Sequence, residues 1–186
     1  MKRQLTTPPA TTPVDESEVK DNLRIESADD DTLIGTLISQ SVEYAEHYCG
    51  RSFMSQVWTY YFDAWNTEFL IHSSPVQSVA VKYIDDNDVE QTVPPADYEL
   101  DNKAYPAVVR FRSGASSVIG PAFNGVRIEA TCGYPAGEVP EAANRAVLLL
   151  VGHWYENAEE STQGNLTPIP HGAPALLNTI KVNISV

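Results

Sequence analysis

Cysteine is nearly missing from this chain: Cys49 and Cys132 are the only two among its 186 residues. Their separation matches neither a zinc-ligand pair nor a redox pair, so they read as free thiols of a reducing compartment. A chain of this length buries roughly 70% of its unfolded surface on folding and needs no disulfide staples. Basic residues are also scarce: 12 Lys and Arg stand against 25 Asp and Glu, for a formal net charge of −13. Neutralising phosphate requires the opposite balance, which excludes broad nucleic-acid affinity. An acidic wall can still stand beside nucleic acid, because it repels phosphate and lets a strand pass without sticking. Missing too are a Gly-rich phosphate loop, a Gly-x-Ser-x-Gly elbow and a His-Glu-x-x-His helix, the usual carriers of nucleotide, acyl-transfer and zinc-hydrolase chemistry. The opening Met1-Lys2-Arg3-Gln4-Leu5-Thr6-Thr7-Pro8-Pro9 has charge but no apolar centre. It is not expected to act as a signal peptide, and the protein is expected to stay where it is made.

Long apolar runs are lacking as well, and the one short exception carries information. Val147-Leu148-Leu149-Leu150-Val151 falls inside a helix expected from Pro140 to Ala158. At about 100° per residue, five consecutive apolar residues go all the way round a helix. Such a helix lies inside a large domain, in a membrane or between subunits. The run ends at Gly152 and passes into His153-Trp154-Tyr155-Glu156-Asn157, far short of the ~20 residues a bilayer crossing needs. No membrane contact is therefore expected, and what remains is a central helix or a helix shared with a neighbouring copy of the chain, which points toward assembly rather than catalysis. Leu148, Leu149, Val151, Trp154 and Tyr155 are its expected interface residues.

Residues 1–13 hold Pro8, Pro9 and Pro13 among threonines, a composition read as a flexible arm or a strap onto a neighbour. Residues 14–52 read as two helices. Asp15, Glu16 and Glu18 suit the positive end of the first, with Val19 and Leu23 on one side. Ala28-Asp29-Asp30-Asp31 supplies cap and dipole partners for the second, which carries Leu33, Ile34, Leu37, Ile38, Ser41, Ala45 and Tyr48 and ends at Gly50. From residue 53 to 134 the period becomes two. Expected strands cover Gln56–Phe62, Glu68–Ile71, Val76–Ile84, Val89–Val93, Tyr98–Leu100, Ala107–Arg112 and Val126–Cys132. Asp85-Asp86-Asn87-Asp88 reads as a hairpin turn, and Ser113–Ser116 and Gly120-Pro121 as breaks. Residues 135–186 return to helix at Pro140 and end in a short helix from Pro174 to Ile180. The pattern predicts an α+β fold: N- and C-terminal helices packed as a small bundle, with an antiparallel β domain inserted between them.

No catalytic, metal or cofactor site is expected. His47 has Glu43 one turn earlier on its helix and Cys49 nearby, but no clear third ligand, so Glu43 and His47 read as an ordinary surface pair. His153, Trp154, Tyr155 and Glu156 point in different directions from one helix and cannot act as a nucleophile, base and stabiliser set. The acidic runs lack the Gly and terminal Glu of a calcium loop. Trp58, Tyr60, Tyr61 and Trp65 admit an alternative reading, a β module that stacks on a sugar or binds a peptide, although strand aromatics commonly make cross-strand packing pairs.

The order of segments resembles a known family. Val19-Lys20-x-x-Leu23-Arg24-Ile25 is followed by an acidic cap and then by Glu43-Tyr44-Ala45-Glu46-x-Tyr48-x-Gly50-Arg51. Further on come Pro75-Val76-Gln77-Ser78-Val79, Gly133-Tyr134, Val139-Pro140, Leu148–Val151 with His153–Asn157, and Ile169-Pro170-x-Gly172-x-x-x-Leu176-Leu177. Together, over about residues 14 to 181, these are similar to the head–tail connector, or portal adaptor, family of tailed bacteriophages. The resemblance implies a non-catalytic virion protein, made in the bacterial host cytoplasm, that forms a ring of twelve copies below the portal. Such a ring joins head to tail, passes DNA without binding it specifically, and meets the portal above and a tail or stopper protein below. Gene-transfer-particle and other tail-completion proteins are the related alternatives. The resemblance also implies that Leu176, Leu177, Ile180 and Lys181 reach toward the portal. The Asn178-Thr179-Ile180-Lys181-Val182 that follows the Leu pair departs from the aromatic or Arg often found there, and the arm before Val14 is longer than usual.

Overall fold

The computed structural model describes residues 2–112, 123–157 and 172–182. The breaks expected at Ser113–Ser116 and Gly120-Pro121, and Ile169-Pro170 of the closing motif, lie outside them. The described residues form two compact units: a helical one from Thr11–Phe53 and Ala136–Asn183, and a β one from Met1–Ala10 and Met54–Pro135. The fold class is α+β, with helices from both ends of the chain packed together and antiparallel strands between.

In the helical unit α1 (Glu16–Leu23) starts at a capping box. Asp15 Oδ1 accepts from the Glu18 amide at 2.8 Å, and Glu18 reaches back to the Asp15 amide. Arg24, at φ 59°, turns the chain out of the helix, and the Ile25 amide donates to Lys20 O at 3.0 Å. α2 (Asp31–Cys49) ends on Gly50 at φ 65°, where a left-handed turn favours glycine. The capping expected of Asp30 takes another form: its carboxylate caps no amide of its own helix and instead accepts from Tyr155. α3 (Glu141–Glu156) follows Pro140, and α4 (Gly172–Ile180) closes the unit. Val14, Val19, Ile34, Leu37, Ile38, Ala45, Cys49, Phe53, Val147, Leu150, Val151 and Leu177 share one core. At about 1.5–3 kcal/mol per large buried side chain, this core far outweighs the caps.

The β unit holds a five-stranded antiparallel sheet in the order β1-β2-β8-β4-β5 and a three-stranded one in the order β3-β7-β6. The strands are β1 (Lys2–Thr7), β2 (Gln56–Phe62), β3 (Glu68–Ile71), β4 (Val76–Ile84), β5 (Glu90–Thr92), β6 (Tyr98–Asp101), β7 (Ala107–Phe111) and β8 (Val126–Cys132). Alternation decides what faces inward: Val126, Ile128, Ala130 and Cys132 of β8 are all buried, against Phe69 and Ile71 of β3 and Val109 of β7 in one cluster. The arm expected to be flexible is a correction, because Lys2–Thr7 is a strand in register with β2, from Lys2↔Tyr61 to Leu5↔Trp58. Its composition gave no sign of this, because the pairing is made by backbone groups and all six of its residues stay exposed.

Candidate functional site

The sequence raises the expectation of a subunit interface on α3, and the fold divides that helix unequally. Ala143, Ala146, Val147, Leu150 and Val151 have no accessible surface. Val151, expected at a subunit interface, therefore belongs to the chain's own core. Leu148, Leu149, Trp154 and Tyr155 remain half-buried at its margin. A Cβ on Gly152 would stand 3.2 Å from Leu23 Cδ2, so α1 lies against that side of α3, while Leu149 Cδ1 would lie 3.5 Å from a Cβ on Gly172, at the start of α4. Much of the second apolar side is thus covered within the chain, by short helices that sequence periodicity alone does not place.

What stays half-buried is an aromatic strip across α2 and α3. Tyr44 and Tyr48, one turn apart on α2, have ring centroids 6.3 Å apart. The Trp154 ring meets Tyr44 edge-on at 6.0 Å. Lys181 Nζ sits 4.8 Å from the Tyr48 ring centroid, a cation–π contact, and the Tyr48 hydroxyl donates to Asn178 Oδ1 at 3.1 Å. Next to the strip is a shallow hollow of about 440 Å³ lined by Gln40, Glu43, Tyr44 and His47. The sequence signal for the strip was the Tyr44–Tyr48 spacing, set one position before the buried Ala45–Cys49 pair.

Of the residues expected to reach the portal, Leu177 is fully buried and so is a second correction. Leu176 and Ile180 are half-buried, and Lys181 is exposed. Ile180 and Val182 are tied to the end of α2 and the turn after it, with the Arg51 Nε donating to Ile180 O and the Val182 amide to Cys49 O at 2.9 Å.

The electrostatics of the helical unit are those of a held structure. Tyr155 donates to Asp30 Oδ2 at 2.6 Å, and that bond to a carboxylate holds its phenol above the ordinary value. Lys20 pairs with Asp31 and Glu16, and its hydrogen bond to Asp31 holds the ammonium above its usual range. Among the described residues no three His, Cys, Asp or Glu side chains converge on a metal position. No helix among them is long and apolar enough to cross a membrane.

The β unit does not turn its aromatic residues into an open platform. Tyr60 is fully buried and its hydroxyl meets Ser73 Oγ at 2.7 Å. Trp65 packs edge-on against Phe111 at 4.9 Å, and the Arg3 guanidinium lies 4.6 Å from the Trp58 ring centroid. The sugar-stacking reading of Trp58, Tyr60, Tyr61 and Trp65 loses its geometry.

A family model described as head completion protein matches residues 14–166. The chain belongs to the head completion protein family. Three solved chains share this head completion protein's fold, each over 100% of this chain and 98% of its own length. One is in the virion of a native gene transfer agent particle, with a TM-score of 0.78 and 21% identity. The second is in the neck of an empty particle of that agent computed with C6 symmetry, at 0.77 and 22%. The third is in the neck of the native particle computed with C12 symmetry, at 0.78 and 19%. At these identities the likeness is one of fold. No curated protein matches the chain.

Proposed function

We propose that this head completion protein is a non-catalytic structural component of the head–tail junction of a phage-like particle, assembling there as a ring of twelve copies. One ring face meets the portal and the other a tail or stopper protein, and the DNA channel continues through the centre. The observation that carries this reading is the family match over residues 14–166, and the full-length fold shared with chains of gene transfer agent necks supports it. The net charge of −13 suits a channel that phosphate passes without sticking.

A closed ring is built from head-to-tail contacts, so each copy needs two different surfaces. The half-buried edge of α3 with the aromatic strip, Leu148, Leu149, Trp154 and Tyr155 beside Tyr44, supplies one of them. Leu176, Ile180 and Lys181 at the chain's end supply the portal contact. Completing the burial of two or three large side chains contributes only a few kcal/mol, comparable with the cost of association. The free chain is accordingly a monomer or a mixture of small oligomers, and the portal templates the ring.

Sedimentation of the chain mixed with its portal protein tests the reading. Trp154→Ala and Leu148→Asp are expected to keep the wild-type circular dichroism and to lose co-sedimentation. Undiminished assembly by both folded variants would remove this edge from the interface.

A further inference from the structure

We propose that β1 is an exchangeable strand: in the assembled ring, Lys2–Thr7 of one copy pairs with β2 of the next. This deepens the ring reading and rests on it. β1 is the outer strand of its sheet, and all six residues are exposed. Its hold on its own chain consists of the backbone ladder and contacts at its faces. Thr6 Oγ1 meets Thr59 Oγ1, Arg3 Nη1 donates to Ser73 Oγ at 3.2 Å and covers Trp58, and Lys2 lies 3.7 Å from Asp63. Each of these is restored unchanged when the strand comes from a neighbour. No side chain has to leave a core for the exchange, which makes it a low-cost route to association.

The connection has the reach to do it. The first core residue after the strand is Val14, at 1% exposure. Between them stands Pro8-Pro9-Ala10-Thr11-Thr12-Pro13, a proline-rich spacer that spans about 3.1 Å per residue when extended, roughly 20 Å in all.

The register selects a second copy of this chain as the occupant, because the edge that Lys2–Leu5 fits, Trp58 to Tyr61 of β2, recurs on every copy. Residues 1–13 carry Lys2 and Arg3 and no acid. Without them, 10 basic residues face 25 acidic ones, so that copies brought side by side repel strongly. The exchange sets Lys2 of one copy beside Asp63 of the next, so that a basic strand and its covalent spacer tie together two acidic copies. It also keeps the outer edge of β2 paired, where an open edge invites uncontrolled strand addition.

The register supplies the test. Gln4 and Thr59 are Cα partners, as are Lys2 and Tyr61. Full-length chains carrying only Gln4→Cys or only Thr59→Cys are mixed in equal amounts, assembled on the portal protein, oxidised and run on a non-reducing gel. The native Cys49 and Cys132 are buried and stay silent. The expected result is a covalent dimer that needs both variants. A single chain carrying both substitutions should give a ladder of linked chains from the ring fraction. The result that overturns the exchange is a ring in which mixed single variants remain unlinked while the double variant closes only within its own chain. Lys2→Cys with Tyr61→Cys repeats the test should Thr59→Cys disturb the fold. Failure of the wild type to form rings on the portal, seen by electron microscopy, sinks the ring reading and the exchange with it. Rings with unlinked arms sink the exchange alone.

Discussion

Gly133 shows how little room a single position of this protein has. It sits at φ +102°, where a side chain is strained, and a Cβ there would lie 2.0 Å from Met54 O. Its amide donates to Pro75 O at 2.8 Å, so the backbone cannot simply move away. Gly133→Ala is expected to destabilise the β unit by roughly 3 kcal/mol or more, read as a lowered thermal midpoint. Gly35, inside α2, gives the opposite sign: a Cβ added there would meet nothing within 4 Å, and Gly35→Ala should stabilise by about 0.5–1 kcal/mol. The two cysteines carry a pH signature. Burial pushes the Cys49 thiol up to about 11 and the Cys132 thiol up to about 12. A raised folded-state value means stability present in full below the ordinary thiol range, near 8.5, and lost as pH climbs through the folded values. Urea denaturation of wild type against Cys132→Ala is expected to show the wild type losing more stability between about pH 9 and 12. Parallel curves would refute the assignment.

At the scale of elements, α3 separates holding the fold from offering a surface. Leu150→Ala, with no accessible surface, should cost about 2–5 kcal/mol of stability, while Trp154→Ala, half-buried, should leave the unfolding midpoint within about 1 kcal/mol of wild type. Equal losses would mean that α3 has no outward side. The same helix marks how far the sequence could be read. Five apolar residues in a row demanded cover on more than one side of α3, and periodicity placed α2, β3, β4 and β8 within a residue or so. What covers Leu149 and Gly152 was not legible, because the cover comes from α1 and α4, and which distant short helix meets which is settled by packing rather than by local pattern. Val151, expected at a subunit interface, and Leu177, expected at the portal, are for that reason found in the chain's own core. β1 was missed on different grounds: its pairing with β2 uses backbone groups, and its exposed Lys, Arg, Gln and Thr side chains carry no alternation of polarity. The Tyr44–Tyr48–Trp154 strip was half legible, since the residues were visible but their meeting across α2 and α3 was not.

The whole molecule combines an acidic chain, poor in basic residues, with a fold shared with particle necks. Repulsion between copies is expected to keep the free protein dispersed, and salt, which screens charges beyond about 8–10 Å, should favour association. In the assembly proposed above, the portal would supply the rest by presenting a ring of identical docking places. The most direct measurement is electron microscopy of the purified chain, alone and mixed with the portal protein of its own particle, at physiological salt. Dispersed protein is expected in the first sample and, in the second, portals capped on one side by a closed ring with an open central channel. Bare portals beside a persistently monomeric chain would contradict a portal-templated ring.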